Sequence, residues 1–491
     1  MLFNSVPFLI FFPVVLAVHF MLPKRARYLW LLAASYYFYM CWNPAYALLM
    51  LTSTVITWLS GQLITRARSV GKPGKMYVAL SFVSNLAILF FFKYYQFAAE
   101  SLTAALGRFG VSWQAPVVDV LLPVGISFYT FQALSYTMDV YRGDSQAEGN
   151  FLRYALFVSF FPQLVAGPIE RSSNLLSQLR KEKPFDPDNF KNGALMMLWG
   201  YFQKMVIADR AAVLADHVFA NYQSYAGYSL AVAVVVFAIQ IYCDFGGYSA
   251  IAIGAAKILG VDLMQNFRQP YFAQSVGEFW RRWHISLSTW FRDYLYIPLG
   301  GNRKGILRKF LNLMITFLLS GLWHGANWTY VVWGGLNGLF QIAGDVKNRL
   351  LRKLPVDRLI NRSCFSYRLF QRLFTFALIC LTWVFFRAES ISQALDFLKQ
   401  MFSVHNPWIF FDETLYTLGL SRLELGILLF SAGVLLAVDI AHEHGVSLRA
   451  RLAEQNLLFR WAVYVGVIVF ILIYGMYGPG FDAAQFIYFQ F

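Results

Sequence analysis

Charge is scarce in this chain. Asp, Glu, Lys and Arg make up 14% of its 491 residues, against about 25% in a soluble domain. Hydrophobic residues make up 58%, more apolar surface than a water-soluble fold can hide. That excludes a soluble enzyme or binding module and leaves a polytopic membrane protein. Acidic residues are scarcer still: 26 Asp and Glu stand against 41 Lys and Arg, for a formal net charge of +15. The excess does not point to nucleic acid, because most Lys and Arg fall in short loops, as the positive-inside rule requires. The four cysteines, Cys41, Cys243, Cys364 and Cys380, are dispersed without metal or redox spacing, and read as inert buried thiols. There is no phosphate-binding glycine loop, zinc signature, serine triad, internal repeat or low-complexity tract. His442-Glu443-His444 makes a poor metal motif, since adjacent residues of a helix face apart. No metal and no bound cofactor are expected.

What the chain has is long apolar runs. Backbone groups in lipid must pair internally, which leaves helices or closed barrels, and unbroken runs of this length choose helices. Candidate spans fall near 3–20, 28–42, 45–63, 77–97, 117–136, 151–167, 190–212, 228–256, 310–344, 373–387, 425–440 and 461–477. Some are short or re-entrant, so the all-α fold should contain about ten to twelve membrane helices. Pro23-Lys24-Arg25 follows the first run where a signal peptide would carry small residues, so that run reads as a retained helix. Basic loops at 24–27 and 66–75 belong inside, and the turn at Trp42-Asn43-Pro44 outside. Arg449, Arg451 and Arg460 put the start of the last span inside, so the tail 478–491 should lie at the outer face. The expected organisation is one membrane domain over 1–491.

Three places could carry chemistry. His324 lies in Ser320-Gly321-Leu322-Trp323-His324-Gly325-Ala326-Asn327-Trp328, between basic loops at 302–309 and 347–372. The segment between those loops should enter the membrane and return. An ionisable residue at that depth is a functional candidate, although a hydrogen-bonded structural histidine is the plain alternative. Gly321 and Gly325 would let a substrate or another backbone approach. His284 is second, beside Arg281 and Arg282, whose forks suit phosphate; lipid headgroups would suit them equally. Residues 271–301 mix aromatic and charged residues at near-helical spacing, with Trp280, Trp283 and Leu287 on one side and Arg281, His284 and Ser288 on another. Third is the C-terminus, Phe486-Ile487-Tyr488-Phe489-Gln490-Phe491, whose nucleophile is the Tyr488 phenol; an interfacial aromatic anchor is the alternative. Asp244, also at membrane depth, could pair with an arginine or order a site.

Together, Trp280-Arg281-Arg282-Trp283-His284-Ile285-Ser286-Leu287-Ser288-Thr289-Trp290, Tyr294 to Arg303, Gly321 to Trp328, Leu122 to Tyr129, Val165 to Ile169 and Asp244 to Ser249 resemble the membrane-bound O-acyltransferase family. The likeness is nearest to its bacterial alginate O-acetylase subgroup. It implies a ring of tilted helices around a funnel or tunnel, with His324 and His284 as the family's two histidines. It implies Arg281, Arg282, Trp283, Trp323, Asn327 and Asp244 as candidates for holding substrate or donor. It further implies a multi-pass protein of the bacterial cytoplasmic membrane. Such a protein takes acetyl from a cytoplasmic thioester, either acetyl-CoA or a carrier protein, and makes it available outside. The partner implied is a secreted or membrane-anchored serine-type acyltransferase that esterifies a polysaccharide. Related D-alanine exporters use a small partner peptide with a Phe/Tyr-rich end. Here a similar motif ends the chain itself, which favours the acetyl branch. D-alanyl export, direct lipid or protein acylation, and a transporter of another class remain as alternatives.

Overall fold

The computed structural model describes residues 1–114, 116–118, 122–165, 167–181, 183–351, 353–354 and 361–477. Among these residues the regular structure is helical and no strand occurs. Among the described residues, seven helices are long and apolar enough to cross a membrane, and the shorter apolar helix Val6–Met21 joins them. The chain divides into two compact units, residues 1–197 with 252–264, and residues 198–251 with 265–491.

The first unit contains α1 (Val6–Met21), α2 (Lys24–Met40), α3 (Pro44–Ser69), α4 (Lys75–Leu89, continued by a π turn to Arg108), α5 (Ile126–Arg142) and α6 (Phe151–Ser159). Asn43 caps α3 by accepting from the Ala45 amide, with Pro44 at the first helical position. The run expected as a helix over 117–136 begins instead at Ile126 and extends to Arg142. Pro123 and Gly125 explain the late start. Gly125 sits at φ 75°, and a Cβ there would meet the Leu164 carbonyl oxygen at 2.9 Å. The run at 151–167 stops at Ser159 and is followed by a short turn, Phe161–Leu164, with Pro162 at its start.

The second unit opens within α7 (Pro187–Tyr201), whose chain continues through a π-helix, Phe202–Ala208, into α8 (Asp209–Ala220). Then follow α9 (Tyr228–Ile258, its residues from 252 on belonging to the first unit), α10 (Val276–Arg282), α11 (Ile285–Phe291), α12 (Ile306–His324), α13 (Trp328–Leu351), α14 (Phe365–Arg387), α15 (Ile391–Ser403), α16 (Arg422–Glu443) and α17 (Leu457–Tyr474). Its core is strongly aromatic. Trp283, Trp333 and Trp383 are each 1% exposed, and Trp333 stacks on Trp383 with ring centroids 5.7 Å apart.

Candidate functional site

The segment around His324 is a helical hairpin. α12 runs up, Gly325 to Asn327 turn, and α13 runs back. Glycine lets the two backbones touch. A Cβ on Gly321 would lie 2.2 Å from the Tyr330 carbonyl oxygen, and one on Gly334 would lie 2.2 Å from that of Phe317. Close approach of this kind supplies the packing that lipid cannot drive. A Cβ on Gly325 would lie 2.1 Å from the Tyr330 ring. These glycines therefore admit a neighbouring helix. Asn327 caps α13 by accepting from the Thr329 amide, and donates to the Glu389 carbonyl.

His324 ends α12, about 22 Å along the helix axis from Lys309. It is 2% exposed. Its Nδ1 lies 2.7 Å from the Ser320 carbonyl oxygen. A carbonyl can only accept, so Nδ1 carries the proton and Nε2 is the basic nitrogen of the neutral ring. Trp323, Trp333 and Phe386 wall the imidazole, with Trp333 nearest at 4.8 Å between ring centroids.

The continuous helical surface expected over 271–301 does not form. The chain breaks between α10 and α11, and His284 occupies the left-handed region at φ 42°, ψ 55°. A non-glycine residue there is strained and must be held. The segment 266–268 holds it. The Ile285 amide donates to the Asn266 carbonyl, and the Arg268 amide to that of Arg282. The Asn266 side chain accepts from the Ser286 hydroxyl at 2.6 Å and donates to Ser249. The break corrects the expected sidedness. His284 is fully buried, whereas Arg281 is exposed. The His284 ring packs against Phe245 at 4.6 Å and stands 6.4 Å from His324, with the ring planes at 81°. The two histidines, 40 residues apart in sequence, thus share one aromatic chamber.

The remaining candidates separate by role. Trp323 lies between the histidines, 5.1 Å from His324 and 6.0 Å from His284. Trp283 belongs to the aromatic core, stacked on Phe279 at 5.3 Å and 5.2 Å from Trp383. Arg282 is committed to carboxylates, at 2.7 Å to Glu278 and 2.6 Å to Glu443, which Arg372 also reaches. Asp244 pairs with a lysine: Lys204 Nζ stands 2.6 Å from Asp244 and 2.7 Å from Asp209, all three side chains at most 3% exposed. Sequence reasoning missed Lys204 and Asp209. The available signal was their place inside the apolar run at 190–212, where an ionisable residue is costly, and Lys204 sits in the π-helix, an element that often marks functional sites. Tyr488 lies outside the described residues.

Beside α12 opens a cleft of about 640 Å³. Its lining includes the polar residues Arg281, Arg292, Asn302, Lys309, Ser320 and Asp345 and the apolar residues Trp280 and Phe317. From Lys309 to Ser320 it follows α12 for about 16 Å. It ends at the residue whose carbonyl holds His324. Trp280, also on its wall, is anchored by its indole N–H to Asn337 at 3.1 Å and packs on Trp333. Ser320, Asn337, Arg292 and Lys309 were not singled out in the sequence either, because no spacing marks residues brought together only by tertiary packing.

A cleft with Arg281, Arg292 and Lys309 in its lining, beside the helix that carries one of two buried, adjacent histidines, agrees with the known proteins this chain resembles. The description "MBOAT, membrane-bound O-acyltransferase family" matches residues 148–388. Over 406 residues the chain is 41% identical to a probable alginate O-acetylase of Pseudomonas putida, covering 82% of this chain and 80% of that protein. It is 34% identical to a peptidoglycan O-acetyltransferase of Helicobacter pylori, covering 82% and 80%. It is 27% identical to a teichoic acid D-alanyltransferase of Bacillus subtilis, over 45% of this chain and 58% of that one. The chain is an acyltransferase and belongs to the membrane-bound O-acyltransferase family.

Proposed function

We propose that this protein takes an acetyl group from a thioester at the cytoplasmic face and passes it across the bacterial cytoplasmic membrane. The acetyl is destined for O-acetylation of an exported polysaccharide or cell-wall glycan. The observation that carries this reading is the cleft ending at Ser320, whose carbonyl fixes the His324 tautomer. A long donor, acetyl-CoA or a carrier-protein thioester, would keep its anionic end at Arg281, Arg292 and Lys309. Its acyl end would reach past Ser320 toward the histidines. Relatives named for alginate and peptidoglycan O-acetylation support the acceptor class.

The chemistry follows from the tautomer. Neutral His324 accepts at Nε2 the proton of an attacking hydroxyl. A phenol with an unperturbed pKa near 10 needs such a base at neutral pH. In the relay we favour, Tyr488 attacks the thioester carbonyl, a C–O bond forms and the C–S bond breaks. The thiolate recovers the proton from the imidazolium. A serine-type partner outside the membrane then takes the acetyl from the tyrosyl ester. His284 packs against the same chamber and would orient the donor carbonyl.

The test is peptide mass spectrometry after incubation with isotope-labelled acetyl-CoA. Wild type should carry label on the C-terminal peptide at Tyr488; His324→Ala should carry none, a loss of at least about 100-fold. Label that persists undiminished in His324→Ala would reject the base. Polymer acetylation unchanged in Tyr488→Phe would reject the relay.

A further inference from the structure

We propose that the first unit binds the phosphate of an anionic lipid headgroup in a basic cavity at the start of α2. The cavity holds about 60 Å³. That is room for a few waters or one phosphate-sized group, and too little for a base or sugar. Lys24, Arg27, Arg153, Arg180, Lys181 and Lys183 line it, and no carboxylate does so among the described residues. Glu148, bonded to Arg180 at 2.7 Å and 3.7 Å from Arg153, offsets part of that charge, and Asp262 stands 4.0 Å from Lys183. Lys24 and Lys181 are exposed and add to a surplus that an anion would neutralise.

Two further observations point to a ligand. His19 lines the cavity and is 6% exposed, yet its Nδ1 has no hydrogen-bond partner among the described residues. The Arg153 Nε, also at the wall, is buried in the same condition. A buried polar atom left unmatched is costly, and a phosphate oxygen would match either one. The cavity also lies at the N-terminal end of a 17-residue helix, where backbone N–H groups and the helix dipole favour an anion.

An apolar strip beside the cavity selects a lipid over a free anion. The Arg27 guanidinium lies over the Phe20 ring, and Phe185 stands edge-on to Phe20 at 5.1 Å and packs on Phe190 at 5.9 Å. Phe185 and Phe190 are 49% and 41% exposed. A basic pocket continuous with exposed aromatic rings matches a headgroup and its acyl chain. By the positive-inside rule, the loop at 24–27 faces the cytoplasmic leaflet, where anionic lipids concentrate.

Native mass spectrometry of the full-length protein, titrated with phosphatidylglycerol or phosphatidylcholine, tests the site. Wild type should retain phosphatidylglycerol preferentially, and Lys24→Glu with Lys181→Glu should weaken retention by about tenfold or more. Arg25→Glu makes a similar charge change at an exposed neighbour that does not line the cavity, and should leave retention near wild type. The proposal fails if the double variant retains phosphatidylglycerol as wild type does, if Arg25→Glu loses as much, or if phosphatidylcholine is held equally well. Displacement of the lipid by inorganic phosphate at matching concentration would also overturn it, in favour of a free-phosphate site.

Discussion

Helices α9 and α17 are both strongly apolar, with mean hydropathies of 1.9 and 2.3 over their most apolar windows. Yet 78% of that window is buried in α9 and 6% in α17. Hydropathy does not sort them, because lipid tails are as apolar as leucine and do not drive a helix inward. Small and polar residues sort them. α9 buries Gln240, Asp244 and Ser249, and a Cβ on its Gly247 would lie 2.8 Å from the Gly200 carbonyl oxygen. α17 buries Ile471 alone and exposes Val465, Ile468, Val469, Leu472 and Ile473. α17 also has a glycine, but a Cβ on Gly466 would meet nothing within 4 Å. A helix whose buried charge and glycine meet protein partners belongs to the working interior, and one that presents mainly aliphatic side chains outward faces the solvent of the bilayer.

The sharpest way to break this contrast is to unbalance the charge on α9. Lys204→Met removes the ammonium shared by Asp244 and Asp209 and leaves two buried carboxylates 2% to 3% exposed. Removing one partner of a buried ion pair costs about 3–5 kcal/mol. The detergent-solubilised variant should therefore unfold well below wild type in a thermal scan. Adding Asp244→Asn and Asp209→Asn should recover most of the loss, since neutral side chains no longer strand charge. A triple variant as unstable as Lys204→Met alone would mean that the triad acts by shape and not by charge balance.

Gly247→Val is the next step down. Its Cβ would meet backbone atoms of Gly200 and Lys204 at 2.8 and 3.0 Å, and backbone cannot swing aside as a side chain can. Overpacking of this kind costs about 1–3 kcal/mol, to be read as a lower unfolding temperature with the fold retained. Gly246, one residue earlier, has its nearest neighbour at 3.7 Å on the Tyr242 ring, so Gly246→Ala should lose clearly less. Equal losses at the two positions would remove close approach as the cause.

The same contrast explains what was legible in the sequence. Helical class, the hairpin around His324 and the family could be read because each rests on local pattern or motif. His284 was found but placed on the wrong side. Helical spacing sets it with Arg281, and the left-handed break that turns it inward depends on Asn266, a residue 18 positions earlier that shows no local sign of the contact. Lys204 was missed because its apolar neighbours made the run look like an ordinary span. Arg282 looked like a phosphate fork because Glu443, which occupies it, lies 161 residues away. Tertiary partners, which no periodicity encodes, decided each of these cases.

The smallest expected effect lies on α17. Ile468 is 43% exposed, so Ile468→Ala exchanges contacts with lipid for other contacts with lipid. The change should stay within about 0.5 kcal/mol, and acyl transfer should match wild type. The measurement is the same thermal scan, run beside Gly247→Val. A loss at Ile468 as large as that at Gly247 would mean that a second protein surface covers α17 in the working enzyme. The exposed face would then be an interface, and the rule drawn from α9 would hold for the described residues of one chain but not for the assembly in the membrane.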